Sequence, residues 1–169
     1  MKTISLFLVS ILIFYGEKLY SQGYEVPKGY ELKVAADYAK YEKDIIGAAK
    51  WLKVTPTDEQ VEKRKEVEKF VAVWILGSPT VNVEFYPIIM DFKAKNNCMF
   101  ILYMACAAQY VLENNYSKDN QTKWKAALHD MINVYKSGKG INKDKKMEKL
   151  IKADEEGKID QWIADNFKS

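Results

Sequence analysis

The sequence predicts an all-α domain, a five- to six-helix bundle around one central buried helix at about residues 97–113, following a cleaved signal peptide. Two observations carry the fold class. The run Cys98–Leu112 is apolar except at Gln109 and is bracketed by Asn96-Asn97 and Glu113-Asn114. A helix that is apolar nearly all round belongs inside other structure. The rest of the chain after the leader repeats apolar residues at three- and four-residue spacing, in segments broken by Pro or Gly.

A membrane span is the rival reading of the central run. Its roughly 22 Å of helix falls short of the roughly 30 Å bilayer core. One edge, where Leu102, Ala105, Gln109 and Glu113 align, is also smaller and more polar. That edge is where close packing or a pocket is expected. No transmembrane span is predicted for the mature chain.

At 169 residues the chain has single-domain length, and 48% hydrophobic against 29% charged residues is too apolar for disorder. Residues 1–21 read as the signal peptide: Lys2 gives the positive start, Ile4–Tyr15 the apolar stretch, and Glu17-Lys18 close it. Cleavage is expected after Ser21, so the reading places the protein outside the cytoplasm, periplasmic or extracellular. Residues 22–33 hold Gly23, Pro27 and Gly29 and form an irregular lead-in; residues 34–169 form the single domain.

The first helical pattern runs from Val34 through Tyr38, Tyr41, Ile45 and Ala48 to Leu52, and Thr55-Pro56 ends it. Thr57-Asp58-Glu59-Gln60 reads as a capping box opening the next helix. That helix begins highly charged, becomes apolar from Phe70 to Leu76, and is expected to stop on a left-handed Gly77. Val81, Val83 and Phe85 alternate with Asn82 and Glu84. A lone strand has no partner, so this stretch is expected to be an extended connection against the core. Pro87 suits the first turn of a short helix through Lys93. After the central helix, helices are expected over Asp119–Lys136 and Ile141–Glu156, with a last turn carrying Ile159, Trp162, Ile163 and Phe167.

Charge excludes one partner class. Lys+Arg 26 against Asp+Glu 23 leaves only +3, and Arg64 is the sole arginine, so no nucleic acid is expected as a partner. Catalytic, metal and cofactor sites are also not predicted. His129, the only histidine, cannot face its neighbour Asp130 on a helix. There is no Cys-x-x-Cys and no calcium-loop spacing. Gly138-Lys139-Gly140 lacks the rest of a phosphate-binding fingerprint, and Ser78 lacks the following glycine of a nucleophile elbow. Cys98 and Cys106 sit about 12 Å apart along one helix, beyond the roughly 7 Å limit for a disulfide. They are read as small buried hydrophobes, with a reactive thiol or an intermolecular bridge as the alternative.

Two surfaces remain as candidate sites. Met99, Tyr103, Cys106 and Tyr110 share a stripe of the central helix and, with Trp74, are candidate lining for a small apolar ligand, since buried tyrosine hydroxyls need partners. Lys139, Lys143, Lys145, Lys146 and Lys149 belong to a basic stretch, a candidate anion-binding patch for weak contact with an anionic surface. Asn115-Tyr116-Ser117 and Asn120-Gln121-Thr122 meet the glycosylation pattern, which short Asn-rich sequences also meet by chance.

Several strings resemble a group of small exported proteins of unassigned function from Bacteroidota-type bacteria. They are Asp37-Tyr38 with Trp51-Leu52, Thr55-Pro56 through Gln60, Lys63-Arg64-Lys65-Glu66, Gly77-Ser78-Pro79-Thr80-Val81 and Lys149-Leu150-Ile151-Lys152. The likeness spans most of the mature chain. It implies export and an all-α fold and assigns no catalytic residue. The function expected from the sequence is an exported, non-catalytic binding or interaction protein for an unknown protein or small ligand. A carrier of an apolar ligand beside Tyr103 and Tyr110, and a hydrolase built from carboxylates, are the alternatives.

Overall fold

The computed structural model describes residues 23–168, so the predicted leader lies outside the described residues. Eight helices lie among them, more than the five or six expected: α1 Ala35–Lys40, α2 Glu42–Val54, α3 Val61–Gly77, α4 Pro87–Phe92, α5 Cys98–Glu113, α6 Asn120–Ser137, α7 Lys145–Glu155 and α8 Ile159–Asn166. The fold is the all-α bundle that the sequence predicts. Helix α5 is its axis, packed most extensively by α6 and α2 and also by α3 and α4. Ten of its residues are buried. No helix of the described residues is long and apolar enough to cross a membrane.

The first predicted helix is two helices. Asp37 accepts the backbone N–H of Lys33 and Val34 and so caps α1. The chain leaves helical geometry at Tyr41, whose ring meets Tyr30 and Phe70 edge-on. The Tyr38 carbonyl there accepts from Tyr41 N–H and from Trp74 Nε1 at 3.0 Å. Val34, expected on the apolar face, is 60% exposed. The lead-in is irregular, as expected, and its Tyr24, Val26, Tyr30 and Leu32 pack on the core.

The expected capping box at Thr57 does not form. Helix α3 starts at Val61 after Gln60, which is left-handed at φ 48°. The Thr57 hydroxyl instead donates to the carbonyl of Gly140 at 2.7 Å. A tertiary contact to the loop before α7 has taken the side chain that would have capped the helix. Gly77 is not a left-handed cap either, since it ends α3 without positive φ. It needs to be glycine because a Cβ there would collide with the Tyr38 hydroxyl. The 78–86 stretch is extended without strand pairing, and it buries Val81 and Val83 while Phe85 is half-exposed.

Helices α6 and α7 are capped by Asp119 and Asp144, each accepting a backbone N–H of the first turn. Gly138, at φ 68°, closes α6. Helix α7 starts four residues later than Ile141, because Asn142 N–H and carbonyl are held by the buried Asn96 side chain at 2.8 and 2.9 Å. At the base, Phe167 stacks on Tyr86 at 4.2 Å and meets Tyr103, Trp124 and Trp162 edge-on, which fixes α8 against α6 and the 78–86 connection.

Candidate ligand groove at Arg64 and Cys98

Arg64 is the sole arginine and is 6% exposed. It falls three residues before Val67, on the stripe that continues through Val71 and Trp74, so α3 carries it inward. The guanidinium lies 5.4 Å from the Trp51 ring centroid. Its Nη2 donates to the Thr55 carbonyl at 2.6 Å. Nη1 stands 3.7 Å from Glu68, beyond ordinary hydrogen-bond length. Nε is buried and has no acceptor among the described residues.

A groove of about 380 Å³ opens over this group. Arg64, Lys65 and Glu68 line one side, Lys95 and the Asn96–Cys98 turn another, and Thr57, Gly140 and Asn142 a third. The walls are fixed from behind by the bonds Thr57 makes to Gly140 and by the paired Asn96 and Asn142. Gly140 sits at φ 69°, and a Cβ on it would lie 2.7 Å from the Asp58 nitrogen. Cys98, the first residue of α5, is half-buried in this groove and free, as is the buried Cys106. Burial pushes the Cys98 thiol up; Arg64 opposes that and Glu68 adds to it. Burial likewise raises the Glu68 carboxyl against the pull of Arg64. A thiol held in its protonated form is a poor nucleophile, and no imidazole adjoins it. His129 is bonded instead to Asp154 of α7 at 2.8 Å. The arrangement suits binding better than covalent catalysis.

The residues expected to line an apolar pocket are placed differently. Met99, Tyr103, Cys106 and Trp74 are buried and Tyr110 is partly buried, and none of them lines this groove or the two others, of about 540 and 450 Å³, found among the described residues. Tyr103 faces the Phe167 cluster, and Trp74 is tied to Tyr38. Burial, then the neighbouring Asp130, push the Cys106 thiol well up, and Asp130 also pairs with Lys53 at 2.9 Å. The Tyr103 hydroxyl is buried with no partner among the described residues. The polar edge of α5 is a site of packing: Gln109 donates to Glu113, which pairs with Lys50 of α2.

The lysines of the expected anion patch are all exposed. Lys146 pairs with Asp91, and the adjacent Lys136 and Lys152 pair with Glu155 and Glu156, so the excess charge there is partly neutralised. A groove of about 540 Å³ beside it is lined by Lys136 and Lys143 but also by Glu148 and Glu155. Both carboxylates are on α7 and already engaged, Glu148 by the Tyr135 hydroxyl and Glu155 by Lys136. Among the described residues no cluster of His, Cys, Asp and Glu is arranged to hold a metal ion.

Sequence reasoning passed over Arg64, Asn96 and Lys123. The signal for Arg64 was its position on the apolar face of α3. Lys123 precedes Ala127, Met131 and Tyr135 on the buried face of α6 in the same way, and its Nζ donates to Glu84, Asn120 and the Asn82 carbonyl. In comparisons with protein-family models, with curated proteins and with solved structures, nothing matches this chain.

Proposed function

We propose that the protein is an exported, non-catalytic binding protein whose ligand occupies the Arg64–Cys98 groove. The observation that carries this reading is a buried guanidinium whose Nε has no acceptor among the described residues, lining a groove whose walls are held by tertiary hydrogen bonds. A buried charge that lacks partners is costly unless something completes its coordination. The apolar leader, Ile4–Tyr15, supports export. Native mass spectrometry of the protein recovered from the compartment to which it is exported, followed by a thermal-shift screen of small solutes, tests both parts. A chain beginning near Gln22, with solutes that raise the melting temperature of the wild type but not of Lys65→Glu, is the expected result. A retained leader overturns export, and solutes that stabilise both proteins equally overturn the site.

A second reading, a carrier of a small apolar ligand beside Tyr103, draws support from the unpartnered Tyr103 hydroxyl. A ligand with one acceptor oxygen would complete it.

A further inference from the structure

We infer that the occupant of the Arg64–Cys98 groove is a small oxyanion, a solute bearing a carboxylate or a phosphate. This rests on the groove being the binding site and goes further by naming the chemistry of the ligand. Three cationic side chains line it, Arg64, Lys95 and Lys65, the last also paired with Glu62 at 2.8 Å, against one carboxylate in the lining, Glu68. Among the described residues Nε has no acceptor and Nη1 reaches only Glu68 at 3.7 Å, and the Arg64 side chain is only 7% exposed. Arginine's planar fork matches an oxyanion, and the bond strengthens where water is excluded.

The start of α5 adds an independent contribution. Asn97 makes no side-chain cap, and although the Asn96 carbonyl takes the Met99 N–H at 3.0 Å, the Asn97–Cys98 end of this 16-residue helix lines the groove. Such a terminus carries partial positive charge and free N–H donors. Helices α6 and α7 start on the capping carboxylates Asp119 and Asp144, whereas α2, α3 and α5 start without a side-chain cap. Cys98 contributes a small, half-buried wall that tolerates close approach of the anion's substituent.

Cys98 also reports on occupancy, because Cys106 is 2% exposed and protected by the fold. The experiment follows alkylation of Cys98 in the full chain by neutral iodoacetamide, while inorganic phosphate or acetate is titrated against sodium chloride at matched ionic strength. The expected result is saturable slowing by at least one of the two anions. Protection by acetate alone identifies a carboxylate, by phosphate alone a phosphate, and by both a general oxyanion site. Lys65→Ala and Lys95→Ala, exposed substitutions that leave the core intact, are each expected to raise the half-saturating concentration by up to about fivefold. Protection no greater than that of chloride, or unchanged in both variants, overturns the inference. If neutral solutes from the thermal-shift screen protect Cys98 while both anions fail, the groove stands as a binding site and the oxyanion assignment falls.

Discussion

Arg64 reaches across nine residues to the Thr55 carbonyl and donates to it from Nη2 at 2.6 Å. That bond ties the C-terminal cap of α2, where the α2–α3 connection begins, to the first turn of α3, a helix that lacks a side-chain cap. The same guanidinium forms part of the groove wall, so fold and site share one side chain. Arg64→Met is expected to lower unfolding stability by about 1–3 kcal/mol, the range for losing a hydrogen bond from a charged group. Urea denaturation measures it. No loss at all would mean that burying this charge gains nothing for the fold.

Lys123 and Glu84 pair at 2.7 Å with Lys123 3% exposed, and Trp124 Nε1 donates to the same Glu84 oxygen at 3.1 Å. Burial pushes the Glu84 carboxyl up, but the bonds from Lys123 and Trp124 outweigh it and hold the group below its ordinary value. A depressed carboxyl stabilises the fold fully above its unfolded-state value and loses that contribution as pH falls through the folded value. Glu84→Gln is therefore expected to cost about 1–3 kcal/mol near neutrality and progressively less in acid. Urea unfolding of both proteins from neutral to acid pH checks this; a constant difference across that range would contradict it.

Tyr103 keeps a buried hydroxyl without a partner among the described residues. Removing such a group relieves a desolvation cost, so Tyr103→Phe is expected to leave stability unchanged or raise it by up to about 1 kcal/mol. A drop in melting temperature would show that the hydroxyl is bonded in solution and would favour the apolar-carrier reading.

Gly140 holds one wall of the groove in a left-handed conformation against Thr57 and Asp58. Gly140→Ala adds both backbone strain and a clash, expected to cost about 1–3 kcal/mol. Thr57 then loses its fixed partner, so Cys98 alkylation should quicken as well. Gly29→Ala, at φ 62° with open space around it, carries the strain without the clash and serves as the control. An equal loss in both variants would mean that packing at Gly140 is immaterial.

The two thiols differ in burial, not in pairing. Native protein should react through Cys98 alone and denatured protein through both, as counted by mass after alkylation. Two native labels would contradict the packed position of Cys106.

Much of this fold was legible in the sequence because its most apolar helix is also its axis. Cys98–Leu112 is too short for a bilayer and too apolar for a surface, which leaves the bundle axis, and Asp119 and Pro87 mark their helix starts through local chemistry alone. The misreadings lie where a distant partner overrode a local preference. Thr57 has the residues of a cap and spends its hydroxyl on Gly140; Tyr41 breaks a regular pattern as its ring meets Tyr30 and Phe70. The candidate groove was hidden for the same reason. Thr57, Arg64, Asn96 and Gly140 come from four separate segments, and only folding brings them together.

The most direct test of the groove uses the fact that Arg64 is the only arginine, so its Nε–H gives a single nuclear magnetic resonance signal. Inorganic phosphate and acetate are titrated into isotopically labelled protein at constant ionic strength. The account predicts that the Arg64 Nε–H and the Asn97 and Cys98 amides shift together and saturate at one concentration. A fixed Arg64 signal, with any shifts confined to the exposed lysines of α7, would contradict it.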